Sequence, residues 1–250
     1  MSDGSDPDNG TRHVAVVGLG RAGLSFARAL ERVGWTVDRL GRGADLTGVT
    51  ANADLVLICT PDAAIDDVAA AMTPGPAVVG HVAGSLGTEV LHPHTRRTAI
   101  HPLISLPNAE IGAERLLAHG WFGIGGSEPL ADELVAALGG RSFRVRDEDR
   151  AVYHAAACVA ANHVVALMGQ VERLAAAIDV PREAYGELTR AAVRSEVTAA
   201  GAHAGGGAGA RGGDATIPRP LSQLADGERA SAGALVRGGG RGAGERGWGA

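Results

Sequence analysis

A chain of 250 residues, 45% apolar but only 3% aromatic, can fill one large core or two modest ones from Val, Leu, Ile and Ala. Its net charge of −5 excludes the broad basic surface of a nucleic-acid binder. Two cysteines, Cys59 and Cys158, both lie inside apolar segments, as in a reducing, cytoplasmic compartment and not a disulfide scaffold; all 23 basic side chains are arginine, which excludes lysine Schiff-base chemistry and a lysine general acid.

Residues 1–11 are acidic and polar, without the basic start and apolar run of a secretory signal, and read as a disordered lead. No stretch approaches the ~20 apolar residues of a membrane helix, so no membrane partner is expected. Residues 13–17 form a short apolar run, the pattern of a strand buried on both faces. Gly18-Leu19-Gly20-Arg21-Ala22-Gly23 follows at once. Phe26, Ala29, Leu30 and Val33 then mark one face of a helix that Gly34 ends. Residues 35–40 and 54–59 read as further strands. Thr60-Pro61-Asp62 breaks the second of these, Ile65, Val68, Ala69 and Met72 mark a helix face, and 77–82 is the next strand. That alternation predicts a parallel sheet covered by helices.

Shorter elements follow: strands at 98–100, 121–124 and 142–145, and a helix over 130–138. Asp147-Glu148-Asp149 places negative charge where a helix N-terminus favours it. With no Pro and one Gly, residues 150–178 predict a single α-helix of roughly 45 Å, and Pro181 starts another reaching about residue 200. The last fifty residues hold 16 of the 38 glycines and are expected to be poorly ordered, apart from an element near 217–224. The fold class is therefore α/β, a Rossmann-type parallel sheet followed by a smaller all-α C-terminal domain. The divisions expected are a lead (1–11), an NADP-binding domain (12–147), an α-helical domain (148–228) and a Gly/Arg-rich tail (229–250).

The glycine loop is informative because it follows a buried strand and opens an amphipathic helix. Gly18 permits the tight turn, Gly20 lets the backbone approach a pyrophosphate, and Gly23 lets helix and strand pack closely. The helix N-terminus, from Leu19 through Arg21 and Ala22, then offers free N–H groups to the phosphates. Asp38 lies 20 residues past Gly18 but falls mid-strand; the strand end reads Gly41-Arg42, and a guanidinium there suits a 2′-phosphate. NADP is expected, with NAD as the alternative. Thr60 and Pro61 end a strand where cofactor ribose or phosphate would lie, while Asp62 serves equally well as a helix N-cap. His81 and His101 end the next two strands at the same edge, where imidazoles can polarise a carbonyl or imine and donate a proton. No carboxylate or cysteine lies close to His92-Pro93-His94, so no metal site is expected. On the long helix His154, Cys158 and Asn162 share one face, with Tyr153 beside them. That row either closes over the nicotinamide cleft or makes helix–helix hydrogen bonds at an interface.

These residues resemble a family of Rossmann-like proteins with a C-terminal helical domain of unknown function, relatives of pyrroline-5-carboxylate reductase and the 6-phosphogluconate and β-hydroxyacid dehydrogenases. The resemblance covers roughly 12–225. It rests on the glycine loop, Thr60-Pro61-Asp62, His81 with Gly84, Ala99-Ile100-His101-Pro102-Leu103, and Tyr153-His154 followed by Asn162. It implies NADP binding and a homodimer formed through the helical domain. The chain departs from the family pattern at Ala83, where the family carries Ser. It departs again at Arg211-Gly212-Gly213-Asp214, which has an extra glycine, and at Pro218 and Pro220, where a helix should start. The dehydrogenase relatives place a catalytic lysine four residues before an asparagine; counting back from Asn162 gives Cys158.

The function expected is an NADP-dependent oxidoreductase acting on a small molecule with a C=O or C=N bond. His101 and His154 supply proton transfer and Asn162 orients the substrate. The alternative is a non-catalytic NADP-binding sensor or scaffold.

Overall fold

Val14, Ala15, Val16 and Val17 are all buried in strand β1 (His13–Val17), as expected for a central parallel strand with protein on both faces. The computed structural model describes residues 11–198; the expectations for residues 1–10, for an element near 217–224 and for the glycine-rich tail lie outside the described residues. β1 belongs to a seven-stranded sheet with β2 (Thr36–Leu40), β3 (Leu55–Ile58), β4 (Val78–His81), β5 (Arg97–Pro102), β6 (Trp121–Gly125) and β7 (Arg141–Arg144), in the order β2-β1-β3-β4-β5-β6-β7. The chain moves outward from β1 to β2 and then crosses back to β3. The C-terminal ends of β1 and β3 therefore form the switch point where open α/β sheets bind ligands.

The sheet is mostly parallel, with β5 and β6 antiparallel. The link from β5 leaves and re-enters the sheet at the same edge, so β6 runs backwards. That link contains a helix the sequence analysis did not anticipate, α4 (Ala109–Leu116). Its signal was present: Asn108 accepts a hydrogen bond from the Ile111 N–H at 2.9 Å, and Glu110 sits in the first turn. The other helices of this part are α1 (Arg21–Arg32), the short α2 (Val49–Asn52), α3 (Ile65–Ala70) and α5 (Pro129–Ala137).

Alternating strand residues feed two cores, one on each face of the sheet. Val16, Leu57 and Ile124 join Phe26 and Leu30 of α1 in one core; Val17, Ile58 and Val79 join Ile65 in the other. Phe26 is fully buried, and truncating it to Ala should cost about 3–5 kcal/mol.

The helix expected over 150–178 is helical backbone throughout 147–176 but not a single α-helix. It comprises α6 (Arg150–Cys158), a π-helical turn (Val159–His163) and α7 (Val164–Ala176). By length and by a mean hydropathy of 1.5 it is apolar enough to cross a membrane. This differs from the expectation that no stretch is apolar enough, because the Ala- and Val-rich turns outweigh Tyr153-His154 and Asn162-His163 when hydropathy is averaged along the helix. Its first turn nevertheless lies on the sheet, with Arg150 buried. Packing divides the chain after Val165, later than 147, because α6 lies on the strands. In the second unit α8 (Arg182–Thr198) follows Pro181, and Arg182 pairs with Glu172 at 3.6 Å.

Candidate active site

The glycine loop has the shape its spacing demands. Gly18 takes φ +97°, and a Cβ there would lie 2.9 Å from the backbone of Cys59 and Thr60. A Cβ on Gly23 would overlap the Gly18 carbonyl. Gly20 is different: a Cβ would meet no protein atom within 4 Å, so packing alone does not require glycine there. An approaching ligand would. Leu19 is half-buried, 3.6 Å from where a Cβ on Gly41 would sit, and the Gly18 N–H donates to the Leu40 carbonyl at 2.9 Å, so the loop is held against the end of β2.

The N-terminus of α1 has no side-chain cap and no acidic residue in its first turn. Its positive dipole end and free N–H groups remain open to an anion. Arg21 and Arg42 are exposed, and neither guanidinium has a hydrogen bond or ion pair among the described residues. Asp38, by contrast, lies mid-strand and is 2.9 Å from His13 Nε2, which leaves the strand end to Gly41 and Arg42. At the tip of β3 the Thr60 hydroxyl is buried with no partner, while Pro61 is exposed. An uncapped helix, a bare Gly20, two unpaired arginines and an orphaned hydroxyl fit a phosphorylated dinucleotide.

A cleft of about 240 Å³ runs from Arg21 and Ala22 along Val82, Pro102, Ile104 and Leu106 to His101. At its His101 end the structure brings together residues of β5, α6 and the segment beyond β4. The Tyr153 hydroxyl on α6 lies 2.7 Å from His101 Nδ1 on β5. The His101 and His154 rings meet edge-on with centroids 5.8 Å apart. Gly84, beyond β4, makes room for both: a Cβ there would overlap His154 Nδ1 and lie 2.9 Å from His101 Nε2. His154 Nδ1 is buried without a partner, and its Nε2 is 3.5 Å from Cys158 Sγ.

Burial, with His154 and Arg150 nearby, holds His101 down at about 4, so the ring is neutral near pH 7. Burial likewise pushes Tyr153 up to about 12, which keeps the phenol protonated. A neutral phenol donating to Nδ1 leaves the proton of His101 on Nε2, beside Gly84.

Two expected residues stand apart from this group. His81 is fully buried, with Nε2 3.0 Å from the Gly87 carbonyl and Nδ1 accepting from the Ala83 N–H at 3.2 Å. Both ring nitrogens are engaged in holding the 82–87 loop, and burial depresses its pKa, so neither nitrogen is free for a further hydrogen bond in this structure. Asn162 is exposed within the π turn and its side chain makes no hydrogen bond among the described residues; that turn takes it out of the α-helical register of His154 and Cys158.

Neither Tyr153 nor Gly123 has a role that the local sequence pattern assigns. These two meet: a Cβ on Gly123 would lie 2.5 Å from the Tyr153 hydroxyl, and Gly123 pairs directly with His101 across the strands. The alternating glycines of Trp121-Phe122-Gly123-Ile124-Gly125 were the available signal, since glycine inside a strand marks close approach by another group. Among the described residues no His, Cys, Asp or Glu cluster suits a metal ion.

Residues 122–234 match the family model described as a domain of unknown function, DUF2520. No curated protein matches in sequence. A protein from Bacteroides fragilis, provisionally named an NADP oxidoreductase, superimposes with a TM-score of 0.74 at 19% identity, over 92% of this chain and 98% of its own. A reductive aminase from Aspergillus terreus gives 0.64 at 15% identity, over 94% and 89%. A 1-pyrroline-5-carboxylate reductase from Streptococcus pyogenes gives 0.63 at 10% identity, over 92% and 96%. The chain has the Rossmann-like fold of these proteins and is distantly similar in structure to NAD(P)-dependent oxidoreductases.

Proposed function

We propose that this chain, a Rossmann-like fold carrying a DUF2520 segment, is an NADP-dependent oxidoreductase that reduces a C=O or C=N bond of a small molecule in the cytoplasm. The observation that carries the proposal is the cleft that joins the uncapped N-terminus of α1 to the Nε2 face of His101. Of the structural relatives, the Aspergillus terreus enzyme has been seen with NADPH and ethyl levulinate, which supports this pairing of cofactor and substrate class.

A reduced nicotinamide, when bound, supplies a hydride. The chain's own residues do the rest. The N–H groups at the start of α1 and the Thr60 hydroxyl hold the phosphates and ribose, and Arg42, assisted by Arg21, holds the 2′-phosphate. Val82, Pro102, Ile104 and Leu106 exclude water from the cleft, which strengthens every polar contact inside it. His101 Nε2–H donates a hydrogen bond to the substrate oxygen or nitrogen and gives up its proton as negative charge develops there. His154 faces the same point across Gly84.

Fluorescence titration with NADPH and NADH tests the cofactor, and NADPH oxidation with cyclohexanone and 1-pyrroline tests the reaction class. Tight NADPH binding with no turnover on any carbonyl or imine would select the sensor or scaffold reading instead. The homodimer belongs to the same proposal. Val152 and Val159, seven residues apart and so on one face of the helix, are 75% and 54% exposed, a face that a second copy would cover. Sedimentation equilibrium at micromolar concentration should give twice the chain mass.

A further inference from the structure

Arg150 is 1% exposed, yet its Nε, Nη1 and Nη2 are all buried without a hydrogen-bond partner. A buried guanidinium stays charged, and leaving it unpaired is costly. The carboxylates whose charge reaches it are Asp147 and Glu89, and Asp147 spends its hydrogen bonds elsewhere, accepting from the Thr88 N–H at 2.9 Å and the Thr88 hydroxyl at 3.0 Å. Packing alone does not call for a charge at this position.

The seat of Arg150 is a notch in the sheet. A Cβ on Gly125 would overlap its Nη2, just as one on Gly123 would crowd the Tyr153 hydroxyl. Gly123 and Gly125 are alternate residues of β6 and face the same side, while Phe122 and Ile124, which alternate with them, fill the opposite core. Two residues of strand separate the notches by roughly 7 Å. Arg150 and Tyr153, one helical turn apart on α6, occupy them in order. The opposite residues on β5 are Ala99 and His101. The alternating glycines thus set a fixed positive charge behind a phenol that is hydrogen-bonded to the imidazole at the cleft.

We propose that Tyr153 is the proton source behind His101 and that Arg150 is the buried charge that makes this possible. Both act as positioning residues through His101, and the proposal rests on the oxidoreductase reading above. In the step implied, hydride from the reduced cofactor adds to the substrate carbon and the C=O or C=N π electrons pass to oxygen or nitrogen. That atom takes the proton from His101 Nε2, whose N–H bond breaks. Nδ1 takes the proton from the Tyr153 hydroxyl, so His101 ends neutral in the other tautomer. The negative charge comes to rest on the Tyr153 oxygen beside Arg150 until solvent returns a proton. A neutral His101 could not pass on a proton without replacement, and the imidazolium is scarce near pH 7. The charged or titratable groups around this pair are His154 and Arg150 on α6, His81 at the end of β4 and Asp62 beyond β3, and Arg150 itself faces Asp147 and Glu89.

Ring-nitrogen NMR of His101 and single-turnover NADPH oxidation with cyclohexanone or 1-pyrroline test the proposal together. In the wild type the Nε2–H tautomer should dominate, and the rate should curve with the deuterium fraction of the solvent, as two moving protons require. Tyr153→Phe should mix the tautomers, make that dependence linear and slow turnover about 10- to 100-fold. Arg150→Met should slow turnover about 10-fold and move the His101 titration upward from about 4. Because it removes an unpaired buried charge, it should fold at least as stably as the wild type. Arg150→Lys should restore part of the rate. A Tyr153→Phe protein with wild-type rate and tautomer overturns the relay, as does an Arg150→Met protein with unmoved His101 titration and rate. A wild type that neither binds nor oxidises NADPH removes the oxidoreductase reading first, and the relay with it.

Discussion

The two edges of the sheet carry depressions of opposite character. The larger, about 550 Å³, lies at the N-terminal ends of the strands and is lined by Arg12, Asp54, Arg96 and Glu133. Its charges satisfy one another: Arg12 holds Glu133 at 2.7 Å, and Arg96 holds Glu128 at 2.8 Å and the Pro76 carbonyl at 2.9 Å. The smaller, about 240 Å³, lies at the C-terminal ends, where α1 is uncapped, Arg21 and Arg42 are unpaired, and the Thr60 hydroxyl and His154 Nδ1 are buried without partners. Size favours the first edge and chemistry the second. A ligand site is distinguished by polar groups the protein does not satisfy for itself, because their desolvation is offset only when a ligand arrives.

The sharpest way to break this comparison is to destroy the loop at the C-terminal edge. Gly23→Val must push against the Gly18 carbonyl. It should lower stability by about 3 kcal/mol and abolish NADPH binding, read by thermal denaturation and calorimetry. Next is His101→Asn, which should reduce single-turnover NADPH oxidation by about 100-fold while leaving NADPH affinity unchanged; equal rates in variant and wild type would contradict the assignment. Arg42→Ala should weaken NADPH about 10-fold, roughly 1.4 kcal/mol, and leave NADH alone. An equal loss for both cofactors would mean that Arg42 does not read the 2′-phosphate.

A pH experiment follows from the depressed His101. The unfolded histidine titrates near 6.5 and the folded one at about 4, so between those values the unfolded chain holds the extra proton. Stability should therefore fall as pH drops from about 6.5 toward about 4. His101→Asn should flatten that slope in urea midpoints measured against pH. The smallest effect belongs to the other edge: Arg12→Ala breaks half-exposed ion pairs and should change stability by less than about 1 kcal/mol and NADPH affinity not at all.

Much of the fold was legible in the residues. The buried strand at His13–Val17, the glycine loop and the helix face of Phe26, Ala29 and Leu30 are local patterns, and local patterns survive folding when every level agrees. The mid-strand position of Asp38 was legible for the same reason. The direction of β6 was not, because it depends on which edge the chain re-enters after α4. Nor was the π turn, which changes the face on which Asn162 emerges without any change in composition.

By itself, then, the sequence determined a dinucleotide-type loop on a doubly wound sheet and the histidines at its edge, since these follow from short-range periodicity and steric limits on glycine. Only the tertiary structure decided which histidine keeps a ring nitrogen free for the cleft: His81 is engaged on both nitrogens, and His101 is hydrogen-bonded to Tyr153 through Nδ1 alone. The placement of Arg150 and Tyr153 against the Gly125 and Gly123 notches also appeared only there. The reason is distance along the chain, since His101 and Tyr153 lie 52 residues apart, and no local pattern records which strand a distant helix will cover.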